Sequence, residues 1–160
     1  MILFLLYTCC SLMIFWQDLK SRSIHLYLIL FFALLPVFFH FLVRPIDPSS
    51  VVFNWVFLAV AIGLSMLVIR WRNHLSFSGM FGLGDVLYLM IVSVYFDFPD
   101  FVIWLNIGLM AALGIHLMAK RFSEKYKKRN LIPLAGFLTP IFTVALYIDI
   151  HVGPVSAYFF

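Results

Sequence analysis

The chain has 160 residues and a formal net charge of +4; 64% of its residues are hydrophobic and only 11% are charged. A soluble domain carries roughly 25% charged residues, so this composition excludes an ordinary soluble domain and indicates an integral membrane protein. The basic residues flank apolar runs and form no separate basic face, which argues against binding to nucleic acid.

Six apolar runs follow one another along the chain. A membrane-spanning helix needs about 20 apolar residues, so 160 residues accommodate about six spans in a single transmembrane domain, residues 1–160. Backbone in lipid must satisfy its own hydrogen bonds, and all six runs are therefore predicted to be helices. The predicted fold class is an all-α, polytopic membrane protein. In chain order the runs are Ile2–Trp16, Ile24–Val43, Val51–Ile69, Phe77–Phe96, Phe101–Ala119 and Leu131–Ile150.

Lys and Arg are distributed unevenly among the five connections. Connections Gln17–Ser23, Arg70–Ser76 and Lys120–Asn130 together hold ten of the eleven Lys and Arg residues. Basic residues concentrate in cytoplasmic loops, so this alternation predicts that the three connections are cytoplasmic and that both termini face outward. The chain is thus expected to be a multi-pass protein of the cell's inner (plasma) membrane.

Two of the seven acids combine an apolar setting with the predicted cytoplasmic side. Asp18 ends the first apolar run, and Asp85 lies in the middle of the fourth, in the sequence GLGD. An ionised carboxylate in hydrocarbon costs at least a few kcal/mol, so each acid is a candidate functional group. Asp85 precedes Asp97, on the predicted outer side, by twelve residues. That is about 18 Å of helix, which predicts that Asp85 lies in the cytoplasmic half of a bilayer core about 30 Å thick.

Three interpretations of this pair remain open on physical grounds. Two close carboxylates that share one proton can hydrolyse a peptide bond: one takes a proton from water and the other polarises the scissile carbonyl. Alternatively, the acids pair with cations and hold helices together, with Lys20 or Arg22 as partners of Asp18. In the third interpretation they relay protons or ions. The glycines before Asp85 favour an unwound turn that would bring the two acids together.

Three patches, in this order, resemble the type IV prepilin peptidases, aspartyl membrane proteases that cut leader peptides from pilin precursors. The first, DLKSRSI at 18–24, is similar to the family's Asp-x-Lys/Arg-x-x-x-Ile-Pro, and the second, GLGDV at 82–86, to its Gly-x-Gly-Asp. The third, IPLAGFL at 132–138, is similar to its Ile-Pro-Phe-Gly-Pro-Phe-Leu. The chain departs from these patterns at His25, Leu87, Ala135 and Gly136.

The resemblance implies a role for each matching residue. Asp18 and Asp85 would be the catalytic pair. Gly82 and Gly84 would shape the turn that carries the second aspartate. Lys20 would tune or orient the first.

The resemblance also implies an activity. It is an aspartic endopeptidase that removes a short basic leader from type IV pilin-like or archaeal flagellin-like precursors at the cytoplasmic face. The expected partners are such a precursor, with its apolar helix, and the lipid bilayer. No metal or other cofactor is expected, and no S-adenosylmethionine, because the chain lacks the cysteine-bearing methyltransferase loop of long members. The alternative is a non-enzymatic membrane transporter or assembly scaffold with proton-relaying or ion-paired aspartates.

Overall fold

Six α-helices make up the regular structure in the part of the chain that the computed structural model describes. That part comprises residues 2–21, 24–42, 45–73, 82–122 and 134–154. The helices are α1 (Ile2–Ser21), α2 (Leu26–Leu42), α3 (Pro48–Asn73), α4 (Leu83–Ser93), α5 (Phe98–Phe122) and α6 (Leu134–His151). Each overlaps one of the six apolar runs, so the all-α prediction is confirmed. Gly79, Ile132, Pro133, residues 74–76 of the third connection and residues 123–130 of the fifth lie outside the described residues.

Three of these helices are long and apolar enough to cross a membrane by length and composition. They contain the segments Pro48–Val68, Phe98–Met118 and Leu134–His151. The apolar parts of α1, α2 and α4 are shorter, at 17 residues or fewer. Large apolar side chains are also exposed over much of the surface, which suits a protein surrounded by lipid. The predicted count of six spans stays a prediction.

The start of α4 differs from the predicted run. Gly82 has extended backbone (φ −69°, ψ 132°) and is the N-cap, so the helix begins at Leu83. Asp85 therefore lies in the first turn of α4, and the prediction that it occupies the middle of a helical span is wrong. At the other acid, α1 continues past Trp16 to Ser21, which places Asp18 inside the helix.

Helix α6 is the centre of the bundle. It packs against α1, α5 and α4, and α1 makes its most extensive contact with α6. Residues 135–139 are all buried, a continuous run that a helix shows only when neighbours cover more than one of its faces. The end of α6 that bears this run, its N-terminal turn, is therefore enclosed by other helices.

Aromatic side chains fill the space between α1, α2 and the end of α4. Tyr7 contacts Phe32 and Tyr95, each with ring centroids 5.2 Å apart. Tyr95 also makes an edge contact with Phe39, and Phe32 stacks on Tyr88. Such ring pairs contribute about 0.5–1.5 kcal/mol each beyond the area they bury, so the cluster fixes these three helices relative to one another.

Asp47 caps α3 at the end of that helix nearest to the turn after α4. Its carboxylate accepts hydrogen bonds from the backbone N–H groups and the hydroxyls of Ser49 and Ser50. These hydrogen bonds lower the pKa of Asp47 to about 2. Pro48 occupies the first helical position, where the missing N–H costs nothing.

We expect the stabilisation by Asp47 to depend on pH. The pKa is lower in the folded protein than the usual value of about 3.9 in an unfolded chain. The contribution is therefore complete above about pH 4 and is lost as the pH falls towards about 2. Asp47→Ala should lower the Tm at pH 6, and its difference from wild type should shrink at pH 2.5. A pH-independent difference in thermal unfolding would contradict this.

Candidate active site

Two adjacent backbone amides in the first turn of α6 bind the two candidate aspartates. The Ala135 N–H donates to Asp85 Oδ1, with a nitrogen–oxygen distance of 2.9 Å. The Gly136 N–H donates to Asp18 Oδ2 at 2.6 Å. The first N–H groups of a helix have no partner within it, and its dipole favours negative charge at this end. The amino end of α6 thus binds both carboxylates.

Asp18 reaches this position from α1. Its side chain is only 5% exposed, although it lies near the carboxyl end of the helix. Gly136 faces it directly: a Cβ at Gly136 would lie 2.9 Å from Asp18 Oδ2 and 3.3 Å from Asp18 Cβ. Since real Cβ atoms hardly ever come within 3.0 Å of another heavy atom, only glycine fits here without a shift of the aspartate.

Asp85 approaches from α4 on the other side. It is the third residue of the helix after the Gly82 cap, and its backbone N–H donates to Gly82 O at 3.0 Å. The carboxylate also accepts a hydrogen bond from the Gly82 backbone, as an acid at this position does in a capping box. Its two anchors are therefore the cap of its own helix and the first turn of α6.

The two carboxylates are close enough to interact electrostatically. Successive amide nitrogens in a helix are about 3 Å apart, so the two bonded oxygens lie within roughly 9 Å of each other. The arrangement can therefore present two carboxyl groups to one reacting centre.

The aspartates face an open groove of about 460 Å³. Apart from the two acids and the glycines, its walls are aliphatic. The lining residues are Asp18, Ile24, Leu26, Ile29, Gly82, Leu83, Gly84, Asp85 and Leu87. The groove lies between the carboxyl end of α1 and the amino ends of α2 and α4, so a polypeptide segment with small or apolar side chains could lie along it.

Of the five residues singled out from the sequence, four meet at this groove. They are the two aspartates, Gly82 and Gly84. Lys20 lies in the last turn of α1, is exposed, and is absent from the groove lining among the described residues. Its predicted role beside Asp18 stays a prediction.

Sequence reasoning missed the part of the site that α6 supplies. Ala135 and Gly136 stood out only as departures from the third patch. A usable signal was present: a proline at the start of an apolar run, here Pro133, is typical of a helix N-terminus, whose first N–H groups have no partner within the helix. Nothing local to that segment predicted which acids the amides would bind.

Comparison with known proteins adds one finding. The model of the type IV leader peptidase family matches residues 5–117. The match covers well over half of the chain and includes both aspartates and the glycines before the second, but it ends before α6. No curated protein and no solved structure matched the chain significantly.

Proposed function

Because the chain belongs to the type IV leader peptidase family, a family of membrane proteases, we propose that it is an aspartic endopeptidase with Asp18 and Asp85 as its catalytic residues. One observation carries this proposal: carboxylates from α1 and α4 accept hydrogen bonds from consecutive amides of α6 beside one open groove. Helix packing does not require two acids in such an arrangement, whereas peptide hydrolysis by an aspartic protease requires two neighbouring carboxyl groups.

The chemistry follows from one proton shared by the pair. The ionised carboxylate takes a proton from a water molecule held between the acids, and the resulting hydroxide attacks the scissile carbonyl carbon. The protonated carboxyl polarises the carbonyl oxygen and donates its proton to it, which gives a tetrahedral diol. When the diol collapses, the carbon–nitrogen bond breaks, one carboxyl gives its proton to the leaving amine, and one hydroxyl of the diol returns a proton to the other carboxylate, which restores the shared proton. The reaction consumes one water and needs no cofactor.

The substrate proposed for this site is a type IV pilin-like or archaeal flagellin-like precursor. Its short basic leader would end where an apolar helix begins. The aliphatic groove walls suit the residues around the bond to be cut, and exposed apolar faces such as that of α3 suit a substrate helix lying in the same bilayer.

We also propose that all six helices cross the inner membrane and that cleavage occurs at its cytoplasmic face. Of the three connections that are rich in Lys and Arg, the first begins within the last turn of α1, and the other two precede the amino ends of α4 and α6 by a few residues. These are the same helix ends that bear the aspartates and their amides, so the positive-inside rule supports a groove on the cytoplasmic side. Residues 1–160 would form one transmembrane peptidase domain.

A cleavage assay in membranes tests the proposed function. The chain is co-expressed with tagged pilin-like precursors, and the new N-terminus of any product is identified by mass spectrometry. We expect cleavage at the leader boundary by wild type and none by Asp18→Asn or Asp85→Asn, with all variants present in the membrane. Cleavage by the neutral variants would refute the catalytic assignment. A proton flux that these variants abolish, with no cleavage by wild type, would favour the transporter.

The two glycines beside Asp85 should differ in their tolerance of a methyl group. A Cβ at Gly82 would lie 3.1 Å from Asp85 Oδ2, whereas the nearest described atoms to a Cβ at Gly84 would belong to Ile24, at an ordinary 3.5 Å or more. Gly82→Ala should therefore lower kcat several-fold by crowding the carboxylate, and Gly84→Ala should remain close to wild type. Initial cleavage rates at saturating substrate measure both. Equal losses would mean that the glycines act through backbone flexibility instead.

A further inference from the structure

In the first turn of α6, a different backbone N–H donates a hydrogen bond to each aspartate. Of these two hydrogen bonds, the one from Gly136 to Asp18, at 2.6 Å, is shorter than the one from Ala135 to Asp85, at 2.9 Å. Because the two donors are neighbours in one rigid helix, their spacing fixes how far apart the bonded oxygens can be. On the basis of the function proposed above, we infer that this amide pair sets the separation of the catalytic carboxylates and that Gly136 is a positioning residue for Asp18.

The requirement for glycine follows from three contacts with a single side chain. A Cβ on residue 136 would meet Asp18 Oδ2, Cβ and Cγ at 2.9, 3.3 and 3.5 Å. The aspartate has little room to yield, because it is buried and α1 packs closely on α6. A methyl group would therefore displace the carboxylate by several tenths of an ångström and weaken the hydrogen bond that it accepts from the N–H of residue 136.

The substrate groove should be unaffected by such a change. Its aliphatic walls come from Ile24, Leu26, Ile29, Leu83 and Leu87, and residue 136 is not among the lining residues. Displacing the Asp18 carboxylate alters the geometry needed in the transition state but leaves the aliphatic walls of the groove in place. A displacement approaching 1 Å can cost about a hundredfold in rate. Gly136→Ala should thus lower kcat at least about tenfold and leave KM within about twofold of wild type.

Two glycines of α5 provide matched controls. A Cβ at Gly114 would have no neighbour within 4 Å, so Gly114→Ala should be neutral. A Cβ at Gly108 would lie 2.6 Å from Leu138 Cδ2, so Gly108→Ala crowds α6 without contacting either aspartate. It should affect the Tm more than kcat. If Gly108→Ala and Gly136→Ala lower kcat equally, Gly136 has only a packing role and the inference is wrong.

A second measurement does not depend on cleavage. Amide protons that are hydrogen-bonded to a carboxylate resonate at low field. The ¹H–¹⁵N spectra of the 18.6 kDa protein in detergent micelles therefore report the hydrogen bonds of Ala135 and Gly136 separately. Asp18→Asn should shift the Gly136 amide much more than the Ala135 amide, and Asp85→Asn should do the reverse. Gly136→Ala should move the amide of residue 136 to higher field, whereas Gly114→Ala should move neither.

The outcomes separate this inference from the proposed function. If the neutral aspartate variants are inactive but Gly136→Ala retains full kcat, the protease assignment stands and the positioning role falls. If the neutral variants still cleave, the catalytic assignment falls, and the amide shifts still report whether α6 binds the two carboxylates. Amide shifts that respond equally to both Asn substitutions would overturn the one-to-one pairing.

Discussion

Replacing both aspartates by Asn should slow cleavage no more than replacing either one. Each single variant should lower kcat by at least about 10³-fold, because neither carboxyl can activate water and protonate the leaving amine without the other. Groups that act as a unit show such non-additivity, since the first substitution already removes the joint function. Asn retains the size of Asp and an oxygen that accepts the α6 amide, so the fold should persist.

Single-turnover rates with excess enzyme measure the three variants on one scale. Asp97→Asn is the matched control, because Asp97 is an exposed acid just beyond the other end of α4 and should be dispensable for cleavage. Losses in the double variant that equal the product of the two single losses would mean that Asp18 and Asp85 act in separate steps. That result would exclude a shared proton.

Asn54→Leu should be the most destabilising substitution far from the groove. Asn54 is fully buried in α3, and its Nδ2 donates to the backbone carbonyls of Ser93 and Phe96 at 2.8 and 2.9 Å. The last carbonyls of a helix lack donors within it, so this side chain satisfies the carboxyl end of α4. Leucine fills a similar volume but donates nothing. Leaving a buried acceptor unsatisfied costs about 1–3 kcal/mol, and two are affected. Leucine also removes the buried Asn54 Oδ1, which has no hydrogen-bond partner among the described residues, so we expect a net loss of about 2 kcal/mol.

Denaturant unfolding in detergent micelles, followed by circular dichroism, measures this loss. Asn106→Leu is the matched control: Asn106 is exposed on α5, and its Nδ2 donates to Val102 O one turn earlier in the same helix. It should change stability little. Since α4 carries Asp85 at its amino end, Asn54→Leu should also lower the cleavage activity, because α4 is held less firmly in place. Equal stability of the two variants would mean that the Asn54 hydrogen bonds are of no net value.

The fold class was within reach of the sequence because it depends on local properties. Hydropathy over 20 residues identifies a membrane helix, and the backbone must be helical there in the absence of water. The same reasoning selected Asp18 and Asp85, since a carboxylate among apolar residues stands out at any position. Hydropathy placed the start of α4 too early. The residues before Gly82 are as apolar as those from Leu83 onwards, so hydropathy alone does not show where the helix begins.

The sequence by itself determined that this protein is an apolar bundle of helices with two unusual acids in motifs of a protease family. Only the tertiary structure brought those acids to Gly136, 118 residues after Asp18, and to Ala135, 50 residues after Asp85. Every residue except proline has the same backbone N–H donor, so the side chains around Ala135 and Gly136 do not show which acids their amides bind. Their partners are fixed by the packing of α1 and α4 on α6, which is a property of the folded chain alone.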